Sequence, residues 1–209
     1  MSLTLTWLGH ASFLVFGSKT VYIDPWKIEG EPHDADVILI SHSHYDHFSI
    51  DDIKALRRDN TEIVASADVV EELGYGTAVK PGDSVTVSGS IAITAVPAYN
   101  LEKEFHPREK QWLGFILSME GKKVYYAGDT DLIEEMGGLD GIDLALLPVG
   151  GTFTMDAEEA AKAAKAIAPS MVVPYHWGDI VGTRKDAQRF LKSISCKGTL
   201  LKNEESITL

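Results

Sequence analysis

Between positions 41 and 49 the chain reads Ser-His-Ser-His-Tyr-Asp-His-Phe-Ser, with His42, His44, Asp46 and His47 inside six positions. Imidazole nitrogens and carboxylate oxygens are the ligands that Zn²⁺ and similar first-row divalent ions take. The run directly follows the apolar stretch Val37-Ile38-Leu39-Ile40, where a strand covered on both faces would emerge. On an extended segment, alternation points His42, His44 and Asp46 the same way, while His47 starts to turn off that line. A polar loop that happens to be histidine-rich is the plain alternative. The spacing, the preceding strand and the helix start Ser49-Ile50-Asp51-Asp52 favour a metal site instead.

Two later segments match this one in kind. Gly128-Asp129-Thr130 puts a carboxylate at the end of a strand, after a glycine that permits a tight turn. Tyr175-His176-Trp177 puts an imidazole in the same setting. Either residue alone is more often a cap or a hydrogen-bonded loop residue. With the first cluster, all at strand ends, they fill out a two-metal site. His10, after Gly9, reads either as a group lining that pocket or as a packed core histidine. His33, between Pro32 and Asp34, reads as a solvated turn residue, and Asp24 as a ligand-orienting group or a turn former.

These residues need a scaffold, and the patterning supplies one. Strands are expected over 4–16 (a pair broken at Gly9-His10), 21–24, 37–40 and 62–65. Alternation continues in a hairpin around Ser88-Gly89-Ser90, a second hairpin around Glu120-Gly121-Lys122, and strands over 144–148 and 171–174. Edge strands near 199–201 and 206–209 finish the chain. A helix runs from Ser49 to about Asp59, and a short one over 68–73 ends at Gly74. Asp156 and Thr183 each open a capped helix. The first has Ala157, Ala160, Ala161, Ala164, Ile167 and Ala168 on one face, the second Ala187, Phe190, Leu191 and Ile194. The irregular stretch 98–111 is a candidate lid or specificity loop. The chain divides into halves near residue 120. An α/β architecture follows, an αββα sandwich of two facing mixed β-sheets with helices on the outer faces.

Composition agrees with one domain over 1–209: 44% apolar and 24% charged residues are ordinary for a soluble globular chain. The net charge of −12 speaks against a nucleic-acid partner held by a broad basic surface. Cys196 is the single cysteine, so no internal disulfide forms, which fits a reducing cytoplasm. The N-terminus lacks the basic flank and apolar core of a signal peptide, and no run approaches a membrane span. Oligomeric state is not readable from the sequence.

The set His42-x-His44-x-Asp46-His47, Gly128-Asp129-Thr130 and His176 resembles the metallo-β-lactamase superfamily. The opening Trp7-Leu8-Gly9-His10-Ala11-Ser12 and the later His176-Trp177-Gly178 narrow the likeness. They resemble its small metal-dependent hydrolases, those similar to ascorbate-6-phosphate lactonase and to the phospholipase that releases N-acylethanolamines. The resemblance implies that His42 and His44 bind one metal with a third histidine. It gives Asp46, His47 and His176 to the second metal, with Asp129 bridging. One departure stands out. Relatives carry a histidine in a segment ending Pro-Ala-x-His, and here Pro97-Ala98-Tyr99 is followed by Asn100. His106, six residues on, is expected to return to the first metal; the opposing reading makes His106 a lid residue, with Asn100 or a water in that place.

The expected activity is hydrolysis of an ester, lactone or phosphoester by a hydroxide held between two divalent ions. Asp46 and Asp129 fix and orient it, and His10 lies close by. Zn²⁺ is the first candidate, and the ligands also accept Mn²⁺, Fe²⁺ or Ni²⁺. The substrate is expected to be a small molecule. Whether Lys103, Arg108 and Lys110 draw an anion or form an ordinary solvated surface stays open. A nuclease on the same fold and a metal-binding protein without catalysis are the competing readings.

Overall fold

The computed structural model describes residues 2–209; Met1, where the stretch read as lacking a signal peptide begins, lies outside the described residues. The strands of the first half are β1 (Thr4–Gly9), β2 (Ser12–Phe16), β3 (Thr20–Ile23), β4 (Val37–Ile40), β5 (Glu62–Ala65) and β6 (Thr77–Ala78). Then come β7 (Ser84–Val87), β8 (Ile91–Pro97), β9 (Leu113–Met119), β10 (Lys122–Tyr126) and β11 (Leu144–Pro148). The last three are β12 (Met171–Tyr175), β13 (Lys197–Gly198) and β14 (Ser206–Thr208). The helices are α1 (Ile50–Leu56), α2 (Ala67–Leu73), α3 (Ala157–Ile167) and α4 (Arg184–Ser193).

Two seven-stranded mixed sheets form, in the orders β14-β1-β2-β3-β4-β5-β6 and β13-β12-β11-β10-β9-β8-β7. Strand β4 shows why its sheet is covered on both sides. Val37 and Leu39 point into the core shared by the two sheets, and Ile38 and Ile40 pack with Ile53 of α1 and Val69 of α2. A side-chain period of two makes one continuous apolar run serve both layers. On the second sheet, Ala160, Ala163 and Ala164 of α3 and Phe190 of α4 are buried in the core that includes Leu146 and Val173. The αββα sandwich expected from the sequence is therefore the fold.

Several boundaries differ. The division between sheets falls between β6 and β7, near residue 80 rather than 120, because β7, β8, β9 and β10 form one antiparallel meander. β14 then returns to pair with β1. The penultimate strand is Lys197–Gly198 instead of 199–201, and Thr77–Ala78 adds an edge strand beside β5. Helix α1 ends at Leu56, since Arg57 already has extended backbone, φ −72° and ψ 140°. On α3, Ala163 is buried whereas Ala168 leaves the helix in the left-handed region and is exposed.

Six chemistry-bearing residues lie just beyond the carboxyl ends of strands, His10 after β1, Asp24 after β3, His42 after β4, Asn100 after β8, Asp129 after β10 and His176 after β12, while His106 comes from the loop between β8 and β9. At the β9–β10 end the chains approach too closely for side chains. A Cβ on Gly114 would stand 2.7 Å from the Tyr126 carbonyl oxygen, and one on Gly128 would meet that of Leu113. Gly128 also has φ +68°, so glycine is required there for the turn that delivers Asp129.

Candidate metal centre

Strand β4 ends at Ile40, the chain bends from Ser43, and Phe48 and His47 both donate their amides to the His44 carbonyl. That turn breaks the alternation expected for 42–46. His42 and His44 go to one group with His106, whereas Asp46 and His47 go to another with His10 and His176. In each group one ligand-type atom per residue lies within 4.8 Å of all the others. Asp129 stands between them. Its Oδ1 is 3.3 Å from His47 Nε2, and its Oδ2 is 3.2 Å from His106 Nε2 and 3.1 Å from His176 Nε2.

The far sides of the rings are held by other residues. Asp24, fully buried, accepts from the Ser41 amide at 2.7 Å, from Ser41 Oγ, from His47 Nδ1 at 2.7 Å and from the Tyr126 hydroxyl at 2.6 Å. Because Ser41 Oγ spends its proton on Asp24, His42 Nδ1 must donate to Ser41 Oγ, 2.8 Å away. His42 is thereby fixed as the tautomer with a bare Nε2, and the bond from His47 Nδ1 to Asp24 turns His47 Nε2 toward Asp129. Trp112 lies under the first group, its ring 4.9 Å from His42 and 4.8 Å from His44, and its indole N–H donates to Asp68, which also accepts from Ser43. Sequence reasoning missed Ser41, Asp68 and Trp112. Only Trp112 beside an expected strand start offered any signal, and a weak one.

Backbone conformation is unusual at the same points. His10, Asp24 and His176 are non-glycine residues with φ of 45°, 43° and 61°. Such left-handed geometry costs of order 1–3 kcal/mol each and persists where surroundings enforce it. The His10 carbonyl does so by accepting from both the Trp7 indole and the His176 amide, each at 3.0 Å. This ties the β1 and β12 loops together, and His10 Nε2 meets Asp46 Oδ2 at 2.9 Å.

The donor set fits a cation. His47 Nε2, His106 Nε2, His176 Nε2 and Asp129 Oδ1 are buried with no hydrogen-bond partner, and unpaired buried polar atoms cost about 1–3 kcal/mol apiece. Ligands around a tetrahedral ion at ~2.0 Å stand about 3.3 Å from one another. The 3.1–3.3 Å separations around Asp129 match that edge, as does the 3.1 Å between His42 Nε2 and His44 Nδ1.

Residues 4–176 match the family model described as the beta-lactamase superfamily domain. Proteins named UPF0173 metal-dependent hydrolase align along almost their whole length. The one from Archaeoglobus fulgidus is 35% identical over 93% of this chain and 91% of its own. The one from Methanoculleus marisnigri is 34% identical over 97% and 95%. This chain belongs to the metallo-β-lactamase superfamily. Igni18, a metallo hydrolase from Ignicoccus hospitalis, superposes with a TM-score of 0.83 at 27% identity over 100% of this chain and 99% of that one. The chain is a metal-dependent hydrolase of that superfamily, and no helix among the described residues is long and apolar enough to cross a membrane.

Within the superfamily pattern, the departure at Asn100 now has a physical account. Asn100 Nδ2 donates to Asp131 Oδ1 and to the Phe153 carbonyl, which orients the amide. Its Oδ1 then accepts from the His106 amide and from His106 Nδ1, both at 3.0 Å. The 100–106 loop thus closes on itself and leaves His106 Nε2 facing Asp129. Replacing Asn100 with alanine frees that ring. Titration with Zn²⁺ is expected to show the first site weakened about 10- to 100-fold, the usual cost of losing a ligand's outer partner, with the second unchanged. Equal affinities in both proteins would refute the propping role.

Electrostatics divide the metal-free ligands into rings that stay neutral near neutral pH and one, His47, that holds its proton until a cation displaces it. Burial pushes the pKa of His10, His42 and His44 down, so these rings stay neutral. For His47 burial works the same way, but Asp129 and Asp24 outweigh it and raise its pKa well above the ordinary value. Burial opposes ionisation of Asp129, yet His176 and His47 hold it well below the carboxylate range. The signs predict the acid behaviour of metal-free protein. Three histidines with lowered pKa bind fewer protons folded than unfolded, so their part of the stability is lost as pH falls below about 6.5. His47 acts oppositely, holding its stability below that pH and losing it as pH rises through its elevated pKa. With three against one, the melting temperature of chelated protein should fall between pH 7 and pH 5. A flat profile there would contradict the burial argument.

Proposed function

We propose that this chain is a dinuclear metal hydrolase acting on a small-molecule ester, lactone or phosphoester. The carrying observation is the single carboxylate, Asp129, placed between two groups of ligand-type atoms. His42, His44 and His106 would hold one ion, and Asp46, His47 and His176 the other. Zn²⁺ suits these nitrogen and oxygen donors, which also accept Mn²⁺, Fe²⁺ or Ni²⁺. When bound, such ions supply Lewis acidity for the scissile bond and bring the pKa of the attacking water toward neutrality.

The chain's own residues do the rest. Asp46, one oxygen held by His10, and Asp129 orient the attacking water. Asp24 and Asn100 keep Nε2 of His47 and His106 turned inward. His10 is a positioning residue: its ring holds Asp46, and it lines a separate hollow with Trp26 and Trp177 and not the cavity beside His44 and His106. That cavity is lined by His44, Asp46, His106 and Asp129. By contrast, a larger hollow between α3 and α4, beside Cys196, carries no imidazole or carboxylate. The test is a panel of ester, lactone and phosphoester substrates on metal-reconstituted protein, beside His44→Ala. Turnover that disappears in His44→Ala supports the reading, and turnover that survives it counts against the metal mechanism.

A further inference from the structure

The wall of that cavity opposite the ligand atoms is apolar. Tyr45, Phe105, Phe153 and Ile180 form it, around a volume of about 200 Å³. Large apolar side chains are seldom left in water without purpose when they gather at one place. Here Tyr45 is 67% exposed, Phe105 45% and Ile180 37%, three elements far apart in sequence converging on one mouth. Phe153 supports Phe105 edge-on, with centroids 4.7 Å apart.

The basic residues of the same loop are engaged elsewhere. Lys103 bonds Asp131 and the Thr154 carbonyl, Arg108 pairs with Glu135 at 3.0 Å, and Lys110 lies over the Trp112 ring. None of them lines the cavity. A charged group on the substrate would find no counterion against this wall, and desolvating it would cost more than the wall returns.

We propose that the substrate carries an uncharged apolar group, an alkyl chain or an aromatic ring, next to the bond that reacts. Tyr45, Phe105, Phe153 and Ile180 bind it and set specificity. At ~30 Å³ per heavy atom the cavity takes a group of about six or seven atoms. This inference rests on the hydrolytic reading and names the substrate class for that site.

The experiment uses metal-loaded protein with p-nitrophenyl acetate, butyrate and hexanoate, beside the monoanionic hemisuccinate ester. Expected is a rise in kcat/KM of about fourfold per added methylene, with the hemisuccinate well below the butyrate. Phe105→Ala combined with Ile180→Ala should lower the hexanoate-to-acetate ratio at least tenfold while bound metal stays the same. A flat series, or a ratio unchanged in the double variant, overturns the proposal. If no ester is turned over in a His44-dependent way, the esterase form of the hydrolytic reading fails by itself. Saturation-transfer NMR with benzyl alcohol then judges the wall: a signal lost in the double variant supports it, and no signal, or one the variant retains, overturns it.

Discussion

If the proposed two-ion arrangement holds, Asp129→Ala is expected to empty both ligand groups of metal at once and to lower hydrolysis by about 10³ or more, the several kcal/mol that metal assistance supplies. The expectation comes from position. Asp129 is the one carboxylate at ion-pair distance from His47, His106 and His176 together. Single replacements in the flanking groups should behave differently. His106→Ala should lose metal from the first group only, and His176→Ala from the second. Metal analysis after gel filtration, set beside the rate on one hydrolysed substrate, checks all three. An Asp129→Ala protein that keeps the wild-type metal content would remove the bridging role, and with it the two-ion arrangement.

The contrast among these residues also shows what a sequence can disclose. His42, His44, Asp46 and His47 were legible because one chain segment carries four ligand types in six positions. Asp129 and His176 were legible because each follows an apolar run at a strand end, Asp129 directly after Gly128 and His176 two positions before Gly178. How the first cluster divides was legible only from the resemblance. Alternation sent Asp46 the same way as His42 and His44, and a turn closed on the His44 carbonyl separates them. The structure brings His106 beside His42 and His44 through the Asn100 amide, a loop closure that leaves no periodic trace.

The same distinction holds for the scaffold. Strand and helix positions followed from apolar periodicity, because period and burial are coupled by geometry. Which sheet a hairpin joins did not follow. β7 to β10 would bury their alternate residues equally well in either layer, so the boundary near residue 80 depends on long-range pairing. Two-residue edge strands such as β6 and β13 carry too few side chains for any pattern.

Asp24 sits at the meeting point of those two layers, and its replacement tests whether the site is held by buried hydrogen bonds. Its backbone has φ 43°, which asparagine adopts at lower cost than alanine. Asp24→Asn therefore removes the charge without adding backbone strain. In the variant, the donors on Ser41, His47 and Tyr126 face an amide that offers one acceptor oxygen where two stood. At about 1–3 kcal/mol for each donor left unmet, and with incomplete additivity, metal-free protein should lose roughly 3–5 kcal/mol of stability. His47, no longer held by Nδ1, should let the second group's metal affinity fall about 10- to 100-fold. Denaturant melts of the chelated protein read the first effect and metal titration the second. A stability loss without any change in affinity would make Asp24 a structural pin between the sheets. Loss of both makes the buried carboxylate the link by which the fold sets the ligand's orientation.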